Sequence, residues 1–349
     1  MSKILVTGGA GYIGCVLVEE LLKKCYDVRV LDTFYFGKDP LNNLSEGFEN
    51  LEDRVDILQK DIRHTTKKDL DGISCVVHLA GFSNDPTAEY RPDLNNSINI
   101  DGTEIIAKIC REKGIKKLTY ASSASIYDQG MEFLGKEELL DESSKVNPKA
   151  AYSVSKYAGE QILLELAGKK KFSPVILRQG TVYGFSHRMR YDLVVNTFVK
   201  NAFKKGIITL DNGGEMYRPI VNVRDVARAH IACLEAPEEK VRGEIFNISY
   251  DNYKIKDLAY NLLPLFTSNM LKVGIVADFL NAKPFRTYKI SNQRIKDILG
   301  FKCQISPEES VIDMIRKINE GVVSDFDNPL YYNIERFKEI FPASTSESR

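Results

Sequence analysis

The chain has 349 residues, 43% of them hydrophobic, and its 48 basic side chains balance 48 acidic ones. That length suits a nucleotide-binding domain with a smaller partner better than a string of modules, and electrical neutrality excludes a polyanion-binding chain, since nothing draws nucleic acid or an anionic membrane toward it. Cys15, Cys25, Cys75, Cys110, Cys233 and Cys303 lie far apart without paired ligand spacing, so reduced thiols are expected, with no disulfide framework and no metal site. No apolar run reaches membrane-spanning length, and the first strand begins at Lys3, which leaves no room for a cleavable leader. The expected location is cytoplasmic.

Lys3-Ile4-Leu5-Val6-Thr7 is a β-branched run that stops at glycines, and residues 12–23 carry apolar side chains at helical spacing. This reads as strand, tight turn, helix. Gly8, Gly9, Gly11 and Gly14 fit Gly-x-Gly-x-x-Gly and Gly-x-x-Gly-x-x-Gly equally well, so the loop alone names no family. Either way Gly8, Gly11, Tyr12, Ile13 and Gly14 would lie against a dinucleotide's pyrophosphate, whose charge is favoured by the free N–H groups opening the helix. The next strand closes on Asp32, 18 residues beyond Gly14. A carboxylate there accepts from both ribose hydroxyls and repels a 2′-phosphate, which points to NAD over NADP.

Further buried strands are expected at 55–59, 75–79, 117–122 and 174–177, with helices at 94–113 and 152–167: the doubly wound α/β pattern of a Rossmann-like parallel sheet, with ligands at the carboxyl ends of its strands. Past about Gly184 the alternation loosens, and a smaller substrate domain is expected there. The domain reading is therefore 1–184 for the NAD-binding domain, with segments returning to it over about 218–248, and 185–349 for the remainder. Strands at 218–223 and 244–248 around a helix at 226–235 are the returning elements, and the polar tail 343–349 is expected to fray.

Ser122-Ser123-Ala124-Ser125-Ile126-Tyr127 follows a buried strand, so its hydroxyls emerge at the same sheet edge as the glycine loop. Tyr152 and Lys156 are four apart on a helix, hence on one face. Tyrosine is a poor base near its ordinary pKa of about 10, but a neighbouring ammonium and the nicotinamide's positive charge should stabilise the phenolate. Ser123 would hold the substrate oxygen, and Lys156 would also bond the nicotinamide ribose. Together they supply the proton chemistry that accompanies hydride transfer at a hydroxyl-bearing carbon. A pure NAD-sensing binding protein, the reading from another class, has no need of that proton path.

In these motifs the chain resembles the extended short-chain dehydrogenase/reductases, specifically the NAD-dependent sugar-nucleotide epimerases and dehydratases. The resemblance implies that Asp61-Ile62 touches the adenine, that Leu79-Ala80-Gly81 after His78 lies beside the pyrophosphate, and that Asn99 belongs to the cofactor site; His78 is assigned no chemistry. Ser123 stands at the family's catalytic Ser/Thr position, four before Tyr127. Ser83 and Thr181, the latter in Leu177-Arg178-Gln179-Gly180-Thr181-Val182-Tyr183-Gly184, are placed at the substrate. Arg218, in Tyr217-Arg218-Pro219, would clamp a nucleotide diphosphate, with Arg286 as the second cation that a diphosphate calls for.

Two departures narrow the reading. Family dehydratases carry an Asp-Glu pair directly after the catalytic Ser/Thr, and here those positions are Ala124 and Ser125, so net dehydration is disfavoured. Gly81 replaces a more usual alanine, and the stretch 128–149 is long; both border the sugar pocket and leave the sugar open. Residues 186–193 look like a stretch of bacterial surface-polysaccharide enzymes, including ones acting on GDP-heptoses. The expected activity is epimerisation of a nucleotide sugar at C4 through a transient keto sugar, with a nucleotide-sugar dehydrogenase or keto-reductase as the alternative. In the resembling family the two long helices pair across a two-fold, which implies a homodimer.

Overall fold

The computed structural model describes residues 2–42, 44, 48, 51–269, 271–279, 286–323 and 325–342. Pro284 and the tail 343–349 lie outside the described residues. Seven parallel strands form the central sheet: β1 (Lys3–Thr7), β2 (Asp27–Asp32), β3 (Val55–Gln59), β4 (Ile73–His78), β5 (Lys117–Ser123), β6 (Ser173–Gln179) and β7 (Ile245–Ile248), in the spatial order β7-β6-β5-β4-β1-β2-β3. The order reverses between β1 and β4, which opens a crevice at the strands' carboxyl ends.

The sheet reads as continuous apolar runs because both its faces are covered, and successive side chains divide between two cores. Ile4, Val6, Val28, Val30, Val77, Val175 and Leu177 pack on one face with the helices Tyr12–Lys23 and Val223–Glu235. Leu5, Leu31, Val76, Leu118 and Ile176 face the opposite way, toward the helices Gly102–Lys113 and Ala151–Leu166. A third core, including Tyr183, Val195, Phe198, Leu258, Leu262 and Met314, joins the helices Val194–Lys205, Ile255–Ser268 and Pro307–Asn319 into the smaller C-terminal part.

Two expectations are corrected here. The segment expected to return to the central sheet at 218–223 forms the strand Tyr217–Asn222, but it pairs with Thr181–Tyr183 and Asp251–Lys254 in a separate three-stranded sheet. Only β7 completes the central sheet. Both strands have the same apolar character, and nothing local states which edge an apolar strand will join. The single helix expected over 94–113 is interrupted: Pro92–Asn96 runs into a π-helical turn at Ser97–Asp101 before Gly102–Lys113 begins. That wider turn carries Asn99 inward, and apolar periodicity does not register one inserted residue.

The long stretch after Tyr127 is tied down. Leu139–Leu140 pairs with Lys289–Ile290, and Ile126, Tyr127, Leu140, Tyr288 and Ile290 form a small core beneath it.

Candidate active site

The crevice at the switch point is a deep cavity whose floor is the glycine loop. Gly8 has φ +73°, where a Cβ would stand 2.7 Å from the Ala80 amide nitrogen, and a Cβ on Gly14 would stand 2.2 Å from the Gly8 carbonyl oxygen. Gly8, Gly11 and Gly14 line the cavity, which resolves the two spacings in favour of Gly-x-x-Gly-x-x-Gly; Gly9 instead makes room for Val30. The first intrahelical bond, Cys15 N to Gly11 O, is 3.0 Å long, so the amides of Tyr12, Ile13 and Gly14 precede it and face the cavity mouth. Asp32 closes β2 beside this loop, its carboxylate accepting from Ala10 N at 3.0 Å and Phe34 N at 2.8 Å. Burial pushes its pKa up, and those two amides pull it back.

Asp61, Ile62, Leu79, Ala80, Gly81 and Ser83 also line the cavity. Asn99 stands behind the lining: its Oδ1 accepts from Phe82 N at 2.7 Å, and its Nδ2 donates to Ser155 Oγ at 2.9 Å and Phe82 O at 3.2 Å. It therefore positions the loop that carries Gly81. The departure at Gly81 has a physical reason, because a Cβ there would stand 2.6 Å from Asn99 Oδ1. His78 is a structural pin. It hydrogen-bonds Thr7 Oγ1 at 2.7 Å and Thr103 Oγ1 at 3.0 Å, and burial, with Lys156 nearby, lowers its pKa to about 3, so the ring is neutral.

Tyr152 and Lys156 project from the helix Ala151–Leu166 into the cavity beside Ala121 and Ser122, and Ser123 ends the neighbouring strand β5. Ser123 Oγ also lies 2.9 Å from Ser125 Oγ and accepts from Ser125 N at 3.2 Å. Burial pushes the Tyr152 phenol up to about 12; Ser123 and Arg190 pull it down, and Asp85 pushes it up. Lys156 Nζ sits 5.0 Å above the Tyr120 ring, and burial lowers its ammonium to about 8. Within the chain itself, burial raises the Tyr152 phenol by more than Ser123 and Arg190 lower it.

Of the other residues expected at the substrate, Ser83 lines the cavity, whereas Thr181, Arg218 and Arg286 are not part of its lining. Ser83 Oγ accepts from Arg190 Nη1 at 3.2 Å and Asn333 Nδ2 at 2.8 Å. Thr181 begins the strand that pairs with Tyr217–Asn222. Arg218 donates to the carbonyls of Tyr217 and Arg286, and its guanidinium lies 5.5 Å from the Tyr288 ring centre. Arg286, expected as the second cation, carries counter-charges of its own, Asp85 at 2.9 Å and Asp128 at 3.4 Å.

Cavity residues not anticipated include Tyr35, Phe36, Phe82, Arg188, Arg190, Asn333 and Phe337. Arg188 and Arg190 lie in a stretch singled out for its resemblance alone, whereas Asn333 and Phe337, on the helix Asn333–Ile340, left no sequence signal. Phe337 packs edge-on against Phe82 with ring centres 4.5 Å apart and against Tyr35 at 5.8 Å, so the C-terminal helix forms one wall of the cavity.

Residues 4–249 match the sequence model of the NAD dependent epimerase/dehydratase family. The chain belongs to this family. It is an NAD-dependent enzyme of the extended short-chain dehydrogenase/reductase type, and the glycine cradle, which added Cβ atoms would fill, fits a dinucleotide. As a family member it has relatives with several reactions. It is 30% identical over 312 residues, 88% of this chain and 95% of the other, to a Methanocaldococcus jannaschii protein provisionally named a UDP-glucose 4-epimerase. It is 28% identical to the UDP-N-acetyl-alpha-D-glucosaminuronate decarboxylase of Bacillus cytotoxicus, covering 91% of this chain and 98% of that enzyme. The fold superposes on UDP-glucose 4-epimerase from Thermotoga maritima with a TM-score of 0.78, at 23% identity, over 92% of this chain and 100% of that one. Among the described residues no helix is long and apolar enough to cross a membrane, and no cluster of His, Cys, Asp and Glu could hold a metal ion.

The position of Asp32 gives a direct expectation. Wild-type protein should bind NAD at least about tenfold more tightly than NADP, because a 2′-phosphate loses the ribose hydrogen bonds to a half-buried carboxylate and meets its charge. Equilibrium titration with both dinucleotides measures this, and equal affinities would remove Asp32 from the ribose.

Proposed function

We propose that this enzyme epimerises a nucleotide sugar at C4 through a transient keto sugar, retaining NAD through the cycle. The observation that carries the reading is that Tyr152 and Lys156 line one cavity with the glycine loop, with Ser123 ending the strand that brings Ala121 and Ser122 to the same lining, and with Ala124 and Ser125 where a dehydratase needs its additional acid and base. The similarity to proteins named as UDP-glucose 4-epimerases supports it. NAD supplies the hydride acceptor and donor and, on its oxidised ring, a positive charge that favours the phenolate. Tyr152 Oη receives the sugar hydroxyl's proton as the C4 hydrogen leaves as hydride, and returns that proton when hydride comes back to the other face of the ketone. Ser123 holds the reacting oxygen, and Lys156 supplies positive charge beneath the ribose. Arg218, whose guanidinium has no carboxylate within ion-pair distance among the described residues, is assigned to the substrate's diphosphate.

The test is UDP-glucose deuterated at C4, with GDP sugars run in parallel to identify the base. An epimerase returns the label to the same carbon of the inverted product without stoichiometric NADH. NADH growing with product would replace this reading by net oxidation, and a product lacking water would replace it by dehydration.

A further inference from the structure

Residues 186–192 cross the opening of the helix Tyr12–Lys23. Ser186 Oγ donates to Tyr12 O at 2.8 Å, and Tyr12 Oη donates to Gly184 O at 2.7 Å, so the start of the crossing is anchored to Tyr12 by two bonds. Two arginines follow, with opposite fates. Arg190 is neutralised by a bidentate pair with Asp192, at 2.9 and 2.7 Å. Arg188 is only 2% exposed, lines the cavity, and among the described residues has no carboxylate within ion-pair distance. Its Nη2 donates to Asn333 Oδ1, its guanidinium lies 3.7 Å from the Phe36 ring centre, and its buried Nε has no hydrogen-bond partner.

An uncompensated guanidinium is costly to bury, so the fold keeps one only where a counter-charge arrives. The nearby carboxylates are committed: Asp32 to the amides of Ala10 and Phe34, and Asp192 to Arg190 and Asn84. Burial, with Arg190 adding repulsion, lowers the Arg188 pKa to about 9. Beside it open the amides of Tyr12, Ile13 and Gly14 and the positive end of a 12-residue helix. A planar guanidinium and the free amides of a helix start, sharing one cavity, match the oxygens of a diphosphate.

We propose that Arg188 is the cation that grips the diphosphate of the bound dinucleotide, with Phe36 and Asn333 fixing its guanidinium. The C-terminal helix thereby belongs to the cofactor site, although Asn333 lies beyond the residues 4–249 shared with the family model. A sugar nucleotide also carries a diphosphate, but Asp32, Tyr35 and Phe36 place Arg188 at the adenosine side of the cavity, which favours the dinucleotide. The inference does not depend on which sugar reaction the enzyme performs.

The experiment is calorimetric titration of the full chain, freed of nucleotide, with NAD, ADP, adenosine and UDP. Arg188→Gln should weaken NAD and ADP roughly 10–100-fold, the range for charge-assisted hydrogen bonds, and leave adenosine and UDP within about twofold. Arg188→Lys, which keeps the charge and loses the fork, should fall between. Equal losses for ADP and adenosine would show a merely structural role, loss for UDP with ADP unchanged would move Arg188 to the sugar nucleotide, and no loss at all would overturn the proposal outright. Should Arg188→Gln not fold, Asn333→Ala decides: it should weaken ADP about 3–10-fold and adenosine not at all, and any other pattern rejects the assignment.

Discussion

Tyr152→Phe is expected to lower turnover about 10²–10⁴-fold while NAD and sugar nucleotide still bind and the fold survives. The substitution keeps the ring and removes only the oxygen that exchanges a proton with the substrate. The phenol stands at about 12 beside a Lys156 ammonium lowered to about 8, so the protein holds it protonated and ready to donate, and becoming a base requires the added positive charge of oxidised NAD. The loss should therefore fall on kcat more than on KM. Steady-state kinetics with binding measured separately distinguishes the two, and an active phenylalanine variant would sink the mechanism whichever sugar is used.

The second large effect is on stability. Arg178 on β6 and Glu160 on the helix Ala151–Leu166 form a bidentate pair, Nη2 to Oε2 at 2.8 Å, with side chains 4% and 0% exposed. Arg178 Nη1 donates to Tyr127 Oη at 2.9 Å, and Ser122 Oγ donates to Glu160 Oε1 at 2.5 Å. The pair thus fastens the helix carrying Tyr152 and Lys156 to the strands beside Ser123. Arg178→Leu leaves a buried carboxylate without its cation and should cost about 3–5 kcal/mol in chemical denaturation. Replacing both residues by leucine should recover much of that loss, since two apolar side chains leave no buried charge behind. A single variant within about 1 kcal/mol of wild type would show that solvent or another group compensates Glu160.

Much of the fold was legible because its sheet is parallel and covered on both faces. β1, β2 and β3 each appear as a short apolar or alternating run with clear stops, and the helix Tyr12–Lys23 has the bounds its periodicity suggests. Local patterns failed where pairing partners are distant. The strand Tyr217–Asn222 chose a separate sheet, and the π-turn at Ser97–Asp101 hid within an otherwise helical pattern. The substrate cations illustrate the same limit at a site: a motif proposes Arg286, but only packing shows that Asp85 and Asp128 already face it.

The sequence by itself determined the strand–glycine–helix cradle, Asp32 at the end of β2, and the Ser123, Tyr152 and Lys156 grouping. Each depends on spacing within one element or at one strand end, and such spacing maps directly onto a shared face or edge. Only the tertiary structure decided the protonation balance at Tyr152, the burial of Arg188 without a carboxylate partner among the described residues, and the wall formed by Asn333 and Phe337. Arg188 and Asn333 meet across 145 residues of chain. No periodicity records such a meeting, because burial, and with it the energy of a charge, is set by everything that packs around a residue rather than by its neighbours in sequence.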